Sequence, residues 1–243
     1  MKTYFAIAAL LCGCAPALAE PTHMGMPEGS KDVYLSALAY NGPSRIGSKE
    51  HRLRVLPLIS AQWSNGVFIN MNTVGVQLSD ETNMEYGVML TPSFTRTESK
   101  RRFTPEAGAF FKYQIAYGLG LSSSLMYGGT TDHRGLRLNL GAELSMPVAE
   151  HQSLGLNAGV RLANRSALQA DYGVAPGLPR AAHEVRSGVM GTSISAQWRW
   201  QVSNKYSLRS SLEFDRLRGS AASSPRIEQA DGVSVVTVLT YRF

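Results

Sequence analysis

From residue 32 onward the chain repeats, stretch after stretch, a two-residue alternation of apolar and polar side chains, and that period specifies strands with two chemically different faces. In 135 to 146, Leu136, Leu138, Leu140, Ala142, Leu144 and Met146 share one face, while Arg137, Asn139, Gly141, Glu143 and Ser145 share the other. In 153 to 162, Leu154, Leu156, Ala158, Val160 and Leu162 oppose Ser153, Gly155, Asn157, Gly159 and Arg161. Further on, Ile194, Ala196, Trp198 and Trp200 oppose Ser193, Ser195, Gln197, Arg199 and Gln201, and Leu208, Leu212 and Phe214 oppose Arg209, Ser211, Glu213 and Asp215. The separators are short and polar. Ser64-Asn65-Gly66, Asp80-Glu81-Thr82 and Ser203-Asn204-Lys205 consist of residues that accept the backbone angles of a reversal or bond their own backbone. With 44% hydrophobic and 17% charged residues, the chain is too apolar for a disordered one.

Such strands suit a soluble sandwich, which buries the apolar face, or a membrane barrel, which turns that face to lipid. Both ends of the sequence favour the barrel. At the start, Lys2, the apolar run from Tyr4 to Leu11 and the small residues Ala17 and Ala19 form a signal peptide, with cleavage expected before Glu20. A rival reading takes Leu11-Cys12-Gly13-Cys14 as a lipoprotein box acylated on Cys14. Removing residues 1 to 19 removes both cysteines, Cys12 and Cys14, so neither disulfides nor thiolate metal sites hold the exported chain together. At the other end, Val233, Val235, Thr237, Leu239, Tyr241 and Phe243 share a face, and an alternating strand closing on an aromatic resembles the assembly signal of outer-membrane barrels, carried here by Tyr241 and Phe243. No later apolar run reaches the roughly 20 residues of a membrane-spanning helix.

The expected organisation is therefore a signal peptide (1–19), a periplasmic segment (20–31) and an all-β, closed antiparallel transmembrane barrel (32–243). Candidate strands fall at 32–40, 52–63, 67–79, 83–95, 103–115, 117–128, 134–147, 152–163, 186–201, 206–217 and 232–243. A bacterial barrel normally has an even number of strands. Twelve is favoured, with a missed or divided strand between Phe68 and Arg102; ten is the alternative. Counting from a periplasmic C-terminus puts 129–133, 164–185 and 218–231 outside. Within 164–185 the residues from Arg165 to Tyr172 are compatible with a short helix, ended by Gly173 and Pro176. Trp63, Phe68, Tyr113, Tyr117, Trp200, Tyr206, Tyr241 and Phe243 are expected in a periplasmic aromatic girdle.

The polar faces carry Arg54, Arg137, Arg161, Arg199 and Arg209 with Glu143, Glu213 and Asp215. This lumen charge network fits an ion-paired filling of a narrow barrel. It also fits a small anion-preferring pore, because arginines outnumber carboxylates. The five histidines, His23, His51, His133, His151 and His183, fall in the N-terminal segment, turns or loops, which argues against a nucleophile–base site on the wall and against a metal site. Neither catalytic residues nor a cofactor are expected. The basic run at 96–102 suits a solvated loop or, if extracellular, the phosphates of lipopolysaccharide. The net charge of +6 is spread over many turns, and an exported protein of this kind has no use for nucleic acid.

Several stretches carry a resemblance: Tyr40-Asn41-Gly42-Pro43-Ser44 through Gly47-Ser48, Arg54-Val55-Leu56-Pro57-Leu58, Glu106-Ala107-Gly108-Ala109-Phe110, Asp171-Tyr172-Gly173-Val174, and Leu217 to Pro225 ahead of Tyr241-Arg242-Phe243. Together they resemble the MipA/OmpV family of outer-membrane proteins. Ser220 and Ser223 stand where that family commonly has acidic residues. The resemblance implies a barrel without catalysis at the bacterial outer membrane. It further implies a scaffold linking murein lytic and synthetic enzymes, whose partners would be a murein transglycosylase and a murein synthase beside lipopolysaccharide and the barrel assembly machinery. Other members are porin-like or adhesive, so a small general or anion-preferring diffusion pore is the alternative.

Overall fold

The computed structural model describes residues 26–97, 100–130, 133–174 and 182–243, apart from the side chains within 93–104 and 129–134. The expected signal peptide lies outside the described residues. Twelve antiparallel strands close into a barrel: β1 (Lys31–Pro43), β2 (His51–Trp63), β3 (Val67–Asn70), β4 (Thr73–Gln77), β5 (Met84–Thr97), β6 (Lys100–Ala116), β7 (Leu119–Thr130), β8 (His133–Ala149), β9 (Gln152–Ala163), β10 (Gly188–Gln201), β11 (Tyr206–Leu217) and β12 (Asp231–Arg242). Each strand pairs with its sequence neighbours, and β1 closes on β12 from Tyr34↔Arg242 to Asn41↔Val235. Every backbone ladder is thus internal, as hydrocarbon surroundings require.

The divided strand lies at 67–79. A single strand there would carry its apolar residues in one phase, but Val67 and Ile69 are odd whereas Val74 and Val76 are even. A two-residue reversal at Met71 and Asn72 makes that phase change, since Asn70 pairs with Thr73 and the two then share a face. Met71 takes a left-handed φ of 55°, a conformation usually left to glycine or asparagine.

Burial alternates along the strands as the sequence does. Leu140, Ala142, Leu144, Leu154, Leu156, Ile194, Leu212, Val233, Val235 and Leu239 face outward, and their neighbours face the lumen. The shorter connections at 64–66, 117–118, 150–151 and 202–205 lie at one end, and 44–50, 164–187 and 218–230 at the other. Short turns mark the periplasmic end and longer loops the extracellular end. The strands β5 and β6 continue into the segment 96–102, with Arg96↔Arg101 and Thr97↔Lys100 in register; residues 98 and 99, and the side chains of the whole segment, lie outside the description.

Within 164–187 sits helix α1 (Arg165–Tyr172), over the residues whose composition suits it. Its N-cap Asn164 accepts from the Ala167 amide at 3.0 Å and from the Leu136 amide at 3.1 Å, which caps the helix and ties it to β8. A single turn, α2 (Gly219–Ala222), lies in the last long loop.

Candidate functional site: the barrel lumen and its roof

Alternation sends Arg54, Arg137, Arg161, Arg199, Arg209, Glu143, Glu213 and Asp215 to the inner faces of β2, β8, β9, β10 and β11. Toward the extracellular end, Arg137 bridges two carboxylates, donating from NH1 to Glu106 Oε1 at 2.7 Å and from NH2 to Asp171 Oδ2 of α1 at 3.0 Å. Arg161 NH2 meets Asp215 Oδ1 at 2.8 Å across β9, β10 and β11. Arg54 NH2 instead donates to the carbonyl of Ser44 at 2.7 Å. Lower down, Gln197 Nε2 donates to Glu143 Oε1 at 2.9 Å, and Lys112 Nζ lies 3.4 Å from Glu85 Oε2. Arg199 and Arg209 are direct cross-strand partners.

Four of these ionised groups escape the alternation argument as first applied: Glu85, Glu106 and Lys112 on β5 and β6, and Asp171 on α1. Their strands mix Gly, Phe and charge on one face (Glu106, Gly108, Phe110, Lys112), which blurs the polar stripe, and no period in a strand reveals a helical residue reaching down from a loop. They alter the electrostatics. Among the described side chains between the rims, six cations (Arg54, Lys112, Arg137, Arg161, Arg199, Arg209) face six carboxylates (Glu85, Glu106, Glu143, Asp171, Glu213, Asp215), so the arginine excess disappears.

The lumen is also packed. Arg161 is 6% exposed, Arg209 7%, Gln197 4% and Glu106 7%. An apolar patch is added by Leu38, Tyr40, Val236 and Val238 of β1 and β12, backed by Leu58 of β2. Phe68 corrects the girdle expectation: it faces inward and meets Phe110 edge-on across the lumen, the ring centroids 5.8 Å apart. Gly75 leaves the room, since a Cβ there would stand 2.4 Å from the Phe68 ring. Tyr113, Tyr117, Trp200, Tyr206 and Phe243 are exposed on the outside or at the turns. Tyr241 lies between Tyr206 at 5.0 Å and Phe243 at 4.9 Å. The end of the chain is tied to β1 by Phe243 N donating to Val33 O at 3.1 Å and by Arg242 against Asp32 at 2.8 Å.

Above the lumen the long loops pack into one roof. Ala167, Leu168 and Tyr172 of α1 join Val185, Met190, Leu217 and Ala221 in a buried cluster, with Ile46 and Ile227 against it. Ser224 Oγ donates to the Tyr172 carbonyl at 2.5 Å, and His183 Nε2 lies 2.9 Å from the Ser220 carbonyl. Burial pushes the Tyr172 phenol above its ordinary range. Glu228 fastens the third loop: Oε2 accepts from the Lys49 amide at 3.1 Å, and Oε1 meets Arg45 NH2 at 2.5 Å. These donors hold its carboxyl below the usual carboxylate range, the Lys49 amide foremost.

Among the described residues no group of three or more His, Cys, Asp or Glu is arranged to hold a metal ion. His51 heads β2, His151 occupies a periplasmic turn and His183 lies in the roof; His23 lies outside the description.

A family model described as MltA-interacting protein MipA matches residues 35–243. Among solved structures, the chain is similar to a bacterial polysaccharide outer membrane secretin at 8% identity and a TM-score of 0.53, covering 89% of this chain and 99% of that one. It is similar to the NanC porin at 11% identity and a TM-score of 0.53, covering 86% of this chain and 100% of the other. At such identities the likeness concerns the barrel fold alone. Comparison with curated proteins gives no match.

Proposed function

This chain belongs to the MltA-interacting protein MipA family, and on that premise we propose that the outer-membrane barrel is a scaffold, holding a murein lytic transglycosylase on its periplasmic face within reach of a murein synthase. The observation that carries the proposal is the filled lumen. A conduit for ions needs a hydrated path lined by an excess of one charge. Here the cations and carboxylates of the described lumen side chains are equal in number, Arg161, Arg209, Glu106 and Gln197 are buried, and three loops pack across the mouth. A barrel of this kind acts through its surfaces.

The periplasmic surface offers material for docking. Gly29 N donates to Ser64 Oγ at 3.0 Å and Ser64 N to Ser30 O at 3.1 Å, so the segment before β1 lies along the β2–β3 turn beside Trp63. Tyr117 stands 90% exposed at the β6–β7 turn. In the same proposal, Tyr241 and Phe243 are the signal read by the barrel assembly machinery, and basic residues at the outer rim contact lipopolysaccharide.

Capture of the bacterium's purified murein lytic transglycosylase by the detergent-solubilised barrel tests the scaffold. Retention is expected to weaken when Tyr117→Ala is combined with deletion of residues 26–30. An intact barrel that retains no transglycosylase would refute the reading.

A further inference from the structure

The outer wall changes character at the top of β10, β11 and β12. On β11 the outward phase passes through Leu212 and Phe214 and then turns basic at Arg216. The extended backbone of Arg218 carries the same phase one step further. From Tyr206 at the periplasmic turn to Arg216 is ten residues, about 34 Å along a strand. At the tilt of such barrels that is about 26 Å along the membrane normal, against an apolar band about 25 Å tall. Arg216 therefore stands where hydrocarbon gives way to headgroups, and Arg218 stands just above it.

Strand pairing fixes a row at this height, with Thr192 opposite Arg216 and Arg216 opposite Asp231. The backbone beneath is paired on both sides, so only side chains are left to meet a ligand. Arg218 Nε donates to Thr192 Oγ1 at 3.3 Å, and the Arg218 amide donates to the Met190 carbonyl at 2.9 Å. Its two terminal nitrogens have no partner among the described residues. Asp231 Oδ1 lies 3.3 Å from Arg216 Nε without a hydrogen bond between them. Both terminal nitrogens of Arg216 are likewise open among the described residues.

Arg186 joins this corner from the roof. Ser220 Oγ, two residues beyond Arg218, accepts from the Arg186 amide at 3.0 Å and donates to the Arg186 carbonyl at 3.1 Å. The Arg186 side chain is exposed, and it borders a cavity of about 320 Å³ lined also by Arg165, Glu184 and Ser187. Counting Arg165 with its partner Glu184, four arginines stand here against two carboxylates.

We propose that Arg216, Arg218 and Arg186 bind the phosphates of one outer-leaflet glycolipid. Guanidinium forks take phosphate oxygens two at a time. The acyl chains lie on the outer wall along Phe214, Leu212 and Ile194, and the phosphorylated sugar reaches the cavity beside Arg186. A free phosphate would find the same forks, but the apolar wall directly beneath them favours a phosphate joined to acyl chains. The site gives a place to the lipopolysaccharide contact proposed above and rests on that reading, while transglycosylase capture is a separate matter.

The test titrates the refolded barrel in detergent with bisphosphorylated lipid A and with the same lipid stripped of its phosphates, folding being checked by heat-modifiable migration on gels. Arg216→Gln/Arg218→Gln should weaken binding of the phosphorylated lipid roughly tenfold or more. The charge-matched Lys49→Gln/Arg52→Gln, elsewhere on the same rim, should change it less than about twofold. Asp231→Asn removes the carboxylate that competes for Arg216 and should tighten binding roughly threefold, a gain that misfolding does not produce. Equal losses in the two double variants would overturn the site and leave the lipopolysaccharide contact as diffuse rim charge. A parent barrel that binds both lipids equally would overturn that contact together with the site. Displacement of the lipid by millimolar inorganic phosphate would overturn the proposal by assigning the forks to a free anion.

Discussion

Glu228 joins two loops that the sequence keeps 180 residues apart, and its ionisation sets when they part. Its carboxyl is held below the usual range in the folded barrel. The resulting stabilisation is complete above the ordinary carboxylate pKa and is lost as pH falls through the lower folded value. Protection of the Glu228 and Gln229 amides, both bonded to the Gly47 carbonyl, should therefore fall on acidification in the parent. In Glu228→Gln, protection should already be reduced at neutral pH and no longer vary with pH across that window. Arg137 illustrates the opposite case of a largely buried charge. Truncating it to Ala strands Glu106 in the lumen, at a cost of about 3 kcal/mol in unfolding free energy. The double variant Arg137→Ala/Glu106→Ala should recover much of that loss, and an additive double variant would show that the pair is not coupled.

At the scale of elements, the roof is the part that local sequence describes least. Residues 165–172 read as helix because nothing in them opposes one. That Leu168 points into a cluster with Val185, Met190 and Ala221 depends on three loops meeting, and no period reports it. Leu168→Asp should bury a charge with no partner, release α1 and raise protease cleavage at the exposed Arg186 on intact cells, while leaving the strands folded. Cleavage only after the outer membrane is permeabilised would invert the topology. The strands were more legible, and within the region expected to hold a divided strand the position of the reversal at Met71 and Asn72 was legible too. Val67 and Ile69 fall out of phase with Val74 and Val76, and a phase change inside an alternating run is what a two-residue turn produces. Phe68 was misplaced for the same reason, because its face follows from the hairpin. Pro57 and Pro92 likewise flag unpaired edges, a meaning that becomes visible once β2 and β5 are seen to bound the short hairpin.

For the whole molecule, fold class was the easiest property to read, since strand after strand of two-residue alternation, ending on an alternating strand with aromatic Tyr241 and Phe243, points to one architecture. The character of the lumen was harder. Arg54, Arg137, Arg161, Arg199 and Arg209 suggested an anion path until Glu85, Glu106 and Asp171 were found beside them. Those three come from a mixed Gly/Phe/charge face and from a loop helix, where periodicity carries little information. The central claim is that this outer-membrane barrel is filled and works by its surfaces. Single-channel recording of the refolded protein in planar bilayers addresses it most directly. The account predicts a sealed barrel, with no steady conductance in the parent and none gained in Arg199→Ala or Arg209→Ala. A steady, anion-preferring conductance in the parent, altered by those two substitutions, would contradict it.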